Sequence, residues 1–533
     1  MWNELSLESR KEYKRMILAF ASLTNLFAQK SSGKETIPSP IINSKFQETI
    51  FLKTFNATGE DYGNTSYDAA VKFVDNNGVE RKCLVGIKTF GIGSGDQKIA
   101  QFKKYNTEWT ELLTLITNNS RNEDGSFKTV SEINKVNKEN YYKLAIEIAR
   151  LRNLRIDSSI ANLQGFSIVE GTDNVEYVYH VLMPSMKGEK PQIFVGETSY
   201  NKIDIDSLEI LGCTTTNTPT NFSFKDCYHK YKFTAADNQL YMTFNNKDIV
   251  IETWDVKYSD AYAFFSNIAD EIYGNLDERA AKGLLGSDVV GREISESYSW
   301  YLPVEPYSGF NSFNGSSKVS LKDRPRRIEA LLSMYKDVLS AEDYSFLREN
   351  LIRCLLDETD KYKKESIRKN IIERVRYIKN IKLEDDIRKL IFRPVDEMYI
   401  PIPYASAFHK AHPDFFGRRI MFKEDKPNSL ASNKEDRSFD LVFEPSGDVM
   451  RCFISQDSGK GIESCEKQSI LGQWLKKYVF HLEKYEPLTN ERLEELGING
   501  MRLYKYENSP LVHLQFIFLD EDDLPSDFIG KIT

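Results

Sequence analysis

At 533 residues the chain is long enough for two or three domains, each with its own buried core. Its net charge of −8 excludes a uniformly basic nucleic-acid coat but not a local basic cleft, because phosphate attraction fades over about 8 Å at physiological salt. No apolar run approaches the roughly 20 residues of a membrane span, the start lacks a charged-then-apolar signal layout, and the six cysteines form no CxxC pair, so a soluble cytoplasmic protein with reduced thiols is expected.

The first expected element is a helix over 8–29, with Ile17, Leu18, Phe20, Leu23 and Phe27 on its apolar side. A Ser- and Pro-bearing loop spans 31–45, and Glu48 follows on an amphipathic segment. Tyr67–Val74 and Arg81–Phe90 then read as two strands joined by the turn residues Asp75-Asn76-Asn77-Gly78. This hairpin carries Asp68 on one strand and Lys88 on the next. An aspartate oxygen and a neighbouring backbone carbonyl, that of Ile87, can hold Mg²⁺ while the lysine polarises or deprotonates a water. The competing reading is a surface aspartate and a strand-end lysine with no chemistry.

The arrangement resembles the PD-(D/E)XK nuclease core of many type II restriction endonucleases. Asp68 matches the first acid and Lys88 the lysine, whereas the position two before the lysine, Glu or Asp in that family, is Gly86. Either the missing carboxylate comes from elsewhere or the likeness is accidental. The resemblance implies a Mg²⁺ site on Asp68, the Ile87 carbonyl and Glu48, since this fold often presents a further metal-site acid before the hairpin.

After the hairpin, the glycine-rich stretch 91–98 is expected to open a helix bearing Ile99, Phe102, Tyr105, Trp109, Leu112, Leu113 and Ile116. Free amides at its start, with Gln97 and Lys98, would face phosphate. A mixed α/β region runs to about 255, including strand candidates at 177–183, 192–195, 239–244 and 249–252. Within it, 221–233 alternates aromatic and cationic residues, either as a half-buried hairpin or as nucleic-acid contacts. A helix is expected over 259–283, then an aromatic strip over 297–317. Residues 318–392 hold 19 Lys+Arg against 14 Asp+Glu and repeat leucines at helical spacing, which predicts a linker of three or four helices.

The C-terminal part presents short motifs in series: Glu397–Pro403, Phe408–Arg419, Phe439–Gly447, Gln456–Lys460, Ser464 and Leu471–Leu475. Together, over roughly 393–518, they resemble the B-three-like DNA-recognition domain of restriction enzymes that carry a phospholipase D-type nuclease. The resemblance implies a seven-stranded open pseudobarrel gripping the major groove of double-stranded DNA with two arms, around 415–419 and 456–467. Arg418, Arg419, Lys460 and Lys467 would contact phosphate or guanine, and Gln456, Asn433 and Gln468 would read adenine, with Ser464 in the second arm. His409 and His412 read as a packed turn rather than a metal pair.

The phospholipase D signature needs a histidine two residues before a lysine, and none of the six histidines meets this. The recognition domain therefore pairs with a different, metal-dependent catalytic module, for which the Asp68/Lys88 hairpin is the candidate. The expected fold is multidomain α+β: a mixed α/β PD-(D/E)XK-like nuclease core over 1–317, a helical middle segment over 318–392 and a C-terminal β pseudobarrel over 393–533. The expected function is a Mg²⁺-dependent, sequence-specific DNA endonuclease of a prokaryotic restriction-modification system, a homodimer at least on DNA. A methylated-DNA-directed endonuclease and a non-catalytic DNA-binding protein are the alternatives.

Overall fold

A computed structural model describes residues 1–27, 37–59, 67–75, 78–102, 107–165, 175–273, 294–315, 317–417, 420–426, 429–455, 458–466 and 468–530. The chain divides into two compact units. One comprises Met1–Glu293 with the pieces Glu444–Ser446 and Glu494–Ile498; the other comprises Ile294–Phe443, Gly447–Leu493 and Asn499–Thr533.

The first unit is built on a six-stranded sheet in the order Thr58–Gly59, Ala69–Val74, Glu80–Thr89, Val175–Pro184, Gln192–Ser199, Val250–Asp255. The expected hairpin forms: Ala69 pairs with Val85 and Val74 with Glu80, and the Asp75 carboxylate closes the turn by accepting from the Val79 amide at 3.0 Å. Glu80–Thr89 runs parallel to Val175–Pro184, so the strand carrying Lys88 is flanked on both sides and cannot slip without moving its side chains to the wrong face. Helices Leu7–Ser22 and Ser44–Phe55 bury Tyr13, Ile17, Ile50 and Phe51 in the core on one face, against Val85 and Ile87. On the other face Leu84 and Tyr179 pack with the helix Val130–Gln164, whose start is fixed by a Thr129/Glu132 capping box.

A second, five-stranded sheet runs in the order Gln97–Gln101, Gln239–Met242, Lys230–Thr234, Phe222–Lys225, Glu209–Gly212. It corrects the helix expected from residue 91. Residues 97–101 are a strand, and the helix begins only at Thr107. Three glycines in five residues each cost a helix about 1 kcal/mol, and pairing with Gln239–Met242 satisfies the backbone instead. Phe102, Trp109 and Ile116 are buried as expected, but Phe102 follows the strand while Trp109 and Ile116 lie on the helix. Residues 222–234 form the half-buried hairpin, with Phe222, Phe224, Tyr231 and Phe233 all inside, so these rings are core and do not face nucleic acid. The expected N-terminal helix is split into Leu7–Ser22 and Thr24–Phe27, and the 259–283 helix is described as Ala261–Tyr273.

The second unit holds a seven-stranded sheet in the order Ile294–Tyr301, Gly500–Tyr506, Val512–Ile517, Ser438–Phe443, Asp448–Ile454, Gly461–Ser464, Ile400–Pro401. All pairings are antiparallel except that of Val512–Ile517 with Ser438–Phe443. Ile294–Tyr301 is the partner of Gly500–Tyr506 from Ile294/Tyr506 to Tyr301/Gly500, so the chain divides at 293/294 rather than at 317/318. The 318–392 segment also belongs to this unit. Its helices Arg324–Met334, Ala341–Ile352, Lys361–Ile378 and Ile381–Ile391 close a core around Ile328, Leu347, Ile371 and Ile387.

Candidate active site and nucleic-acid interface

Asp68 stands one residue before the Ala69–Val74 strand, and its amide donates to the Val85 carbonyl at 3.0 Å. That bond aims the carboxylate at the neighbouring strand. Its Oδ2 accepts from the Ile87 amide at 2.6 Å and lies 3.5 Å from Lys88 Nζ. The two residues singled out twenty positions apart thus form an ion pair, half-buried, with the Ile87 peptide between them. The Ile87 side chain is buried below the sheet. Burial pulls the Lys88 pKa down, but the Asp68 carboxylate, with Tyr179 and Glu48, more than offsets it and holds the ammonium above the usual lysine range. At neutral pH Lys88 is therefore a charged donor, suited to polarising water or a phosphoryl oxygen and unsuited to taking a proton.

Glu48 lies on the Ser44–Phe55 helix, paired to Lys45 at 3.5 Å. Its carboxyl is pushed up by burial and by the Asp68 charge, while Lys45 and Lys88 pull the other way. The structure thus brings the three expected residues into one electrostatic cluster. Two mutually repelling carboxylates are hard oxygen donors, the chemistry Mg²⁺ accepts alongside water and substrate phosphate. Among the described residues there is no group of three or more His, Cys, Asp or Glu that could hold a metal. Among the described residues, Asp68 and Glu48 are the carboxylates of this cluster.

Gly86 faces the position of Tyr179 on the adjacent parallel strand. A Cβ at 86 would lie 2.6 Å from both Cδ1 and Cε1 of the Tyr179 ring, so no side chain fits there while that ring keeps its place. Tyr179 is 1% exposed, stacks on Tyr200 with centroids 4.2 Å apart, and accepts from Arg152 Nη2 at 3.5 Å. This aromatic filling of the acid's position was invisible in the sequence, since it depends on which strands are neighbours.

The expected phosphate cradle is corrected. Gln97 and Lys98 lie on a strand, not at a helix start; Gln97 donates to the Gly95 carbonyl at 2.8 Å, and Lys98 is exposed. The loop before them is tied down internally, with Asn246 donating to the Ile92 and Ser94 carbonyls at 3.0 and 2.7 Å.

In the second unit, Arg418, Arg419, Gln456 and Lys467, and the side chain of Gln468, lie outside the described residues. Lys460 is exposed beside the Gly461–Ser464 strand, and its carbonyl accepts from Ile402 at 2.9 Å. Ser464 is 3% exposed and its hydroxyl accepts from the Glu466 amide at 3.2 Å, a turn contact. Asn433 likewise caps its own turn, accepting from the Asp436 amide at 2.9 Å. His409 is buried with Nε2–H donating to Gly459 at 2.8 Å, and His412 meets Tyr298, so both are packing residues as expected. Gly472 in the Leu471–Leu475 motif is sterically required, because a Cβ there would penetrate the Asp396 backbone.

Lys476 was missed by sequence reasoning. It is 4% exposed, its Nζ sits 4.0 Å from the Phe313 centroid without a hydrogen-bond partner, and burial pushes its pKa down to about 8 against the pull of Asp396 and Glu486. A lysine whose folded pKa is depressed costs stability fully below that value, and the cost is relieved as pH rises toward the unfolded pKa. Lys476→Met should therefore raise stability at pH 7 by roughly 1–3 kcal/mol. It should also flatten the rise expected in the parent above about pH 8, both read by chemical denaturation across pH.

Residues 423–507 match the family model described as the NgoFVII C-terminal B3-like DNA-binding domain, a domain of a restriction enzyme. The matched span contains four strands of the seven-stranded sheet, Ser438–Phe443, Asp448–Ile454, Gly461–Ser464 and Gly500–Tyr506. No curated protein matches the chain.

Proposed function

We propose that the chain is a sequence-specific, Mg²⁺-dependent DNA endonuclease of the type II restriction kind. The observation that carries this reading is the coexistence, in one chain, of a span matching a restriction-enzyme DNA-binding domain and the Asp68/Lys88/Glu48 cluster. The second unit reads duplex DNA, and the first, as a PD-(D/E)XK-like module, hydrolyses the phosphodiester. Asp68 and Glu48 would hold Mg²⁺, with the Ile87 carbonyl as a further donor. When bound, the ion would supply Lewis-acid polarisation of the phosphate and a water of lowered pKa. Lys88, held charged by Asp68, stabilises negative charge growing on the phosphoryl oxygens. The Ile87 amide fixes the Asp68 rotamer. Each active site cuts one strand, so a homodimer on DNA is the simplest route to a duplex break. Among the described residues no helix is long and apolar enough to cross a membrane.

A plasmid incubated with the protein should be cut in Mg²⁺ and untouched in EDTA. The closure of position 86 by Tyr179 favours a second reading, a DNA-binding protein without catalysis. Specific binding with no cleavage in Mg²⁺ or Mn²⁺ would select it.

The recognition half predicts a distinct effect for Lys460→Ala. As a phosphate contact it should weaken binding evenly across sequences and reduce the slope of log affinity against log salt by roughly one unit. A loss of about 1–3 kcal/mol confined to one base pair would instead make it a base contact. Unchanged affinity and slope in fluorescence anisotropy would remove Lys460 from the interface.

A further inference from the structure

The second unit carries a cavity that neither the recognition motifs nor the Asp68 cluster uses. It lies between the helices Lys361–Ile378 and Ile381–Ile391 and the segments around residues 313 and 485, and its volume is about 200 Å³. Its wall is aromatic. Phe313, Phe392 and Tyr485 meet pairwise with ring centroids between 5.2 and 6.1 Å apart.

Each of these rings has a cation over it: Arg368 stands 5.5 Å from the Phe392 centroid, Arg388 5.1 Å from Tyr485 and Lys476 4.0 Å from Phe313. Arg388 is neutralised by Glu384, which accepts from its Nε and Nη2 at 2.9 and 2.6 Å. The other two are not neutralised in this way. Arg368 is 2% exposed, donates to the Asn314 and Gly315 carbonyls beside the Cys354 thiol, and keeps an unpartnered Nε. Lys476, 4% exposed, is attracted by Asp396 and Glu486 but hydrogen-bonded by neither. Burying a cation with no carboxylate bonded to it carries a large desolvation cost, which an anion seated nearby offsets.

The cavity lining agrees in sign, with four cations against two carboxylates. Among them Lys369 and Arg376 are exposed two turns apart on one helix, and their ion pairs with Glu365 at 3.5 Å and Glu384 at 3.3 Å are surface pairs that a phosphate can displace. Size narrows the ligand further. A cavity of about 150 Å³ admits a benzene ring, so this one has room for a single heterocycle and none for a peptide chain. Aromatic walls with cations beside them hold a base by stacking and its phosphate by charge.

We infer that, independently of any nuclease activity, this cavity binds one nucleotide, its base against Phe392 and Tyr485 and its phosphate on Lys369 and Arg376. Arg368 and Lys476 supply positive potential from behind the rings. Two sources carry this chemistry, a free mononucleotide and a nucleotide of a DNA strand.

The test is calorimetric titration of the full chain with the four deoxynucleoside 5′-monophosphates, the matching nucleosides and inorganic phosphate. At least one mononucleotide should bind, one per chain, at least about tenfold tighter than its nucleoside or phosphate alone. Lys369→Ala/Arg376→Ala and Tyr485→Leu, each shown folded by circular dichroism, should weaken it at least about tenfold. The surface double variant keeps the test decisive if Tyr485→Leu does not fold. A mixed-sequence single strand and a duplex are then added to the mononucleotide complex: displacement by either identifies DNA as the source, and its absence identifies a free nucleotide. No mononucleotide binding below about 1 mM, binding that phosphate alone matches, or affinity unchanged in either folded variant would overturn the inference.

Discussion

Asp68→Ala and Lys88→Ala should each lower Mg²⁺-dependent cleavage by roughly 10²–10⁴-fold while leaving DNA affinity in Ca²⁺ unchanged. The size follows from what each group does. On the proposed reading, removing Asp68 deletes a metal-site carboxylate and leaves the Ile87 amide without the side-chain acceptor it has in the parent. Removing Lys88 deletes a charge that Asp68 keeps on the side chain and that, on the proposed reading, would meet the phosphate in the transition state. Because the two act as one ion pair, the double variant should be little worse than either single one. Lys88→Arg separates the roles further: a charged donor of different shape should retain part of the activity if electrostatics dominates, and none if a neutral lysine were taking a proton. Full activity in either alanine variant, measured in single-turnover cleavage, would remove the pair from the active site.

Glu48→Gln should make the cation-free protein more stable and the enzyme worse. Burial and the Asp68 charge raise the Glu48 carboxyl above its ordinary range. A carboxyl with a raised folded pKa contributes stability only at low pH, below its unfolded pKa, and that contribution is lost as pH rises through the folded value. At neutral pH the ionised Glu48 is therefore a net cost, and its amide should gain roughly 0.5–2 kcal/mol in thermal or chemical unfolding. The same substitution withdraws a metal-site oxygen, so the cation affinity of the variant should fall roughly 10–100-fold. In the parent, protons and cation compete for Glu48, and cation affinity should decline with falling pH sooner than at an ordinary glutamate. A variant that is neither more stable nor weaker in cation binding would place Glu48 outside the site.

The hairpin was legible because its signals are local. Period-two apolar positions, a turn of Asp, Asn and Gly, and the spacing of Asp68 and Lys88 all lie within one short stretch, and the register that pairs Ala69 with Val85 follows from them. The C-terminal motifs were legible as a series, and the family match lies inside the span they marked. What was not legible depends on distant partners. Gln97–Gln101 carries apolar residues at helical spacing with those that follow, yet Gln239–Met242 recruits it as a strand. Residues 297–317 read as an aromatic strip before the recognition domain, yet Ile294–Tyr301 is an edge strand of its sheet, completed by residues two hundred positions later in the chain. Ser464 reads as part of the second arm and is buried by its own turn. The meaning of Gly86 is the sharpest case. As a sequence position it is only a missing acid, whereas beside Tyr179 it is a site where no side chain fits.

Cleavage of a long unmodified DNA, with the ends mapped by sequencing, tests the central claim most directly. The account predicts that in Mg²⁺ the ends fall at fixed positions relative to one short sequence, that EDTA abolishes them, and that Asp68→Ala abolishes them while the protein still binds that sequence. Specific binding with no ends above background in Mg²⁺ or Mn²⁺, or ends that persist in Asp68→Ala, would contradict it.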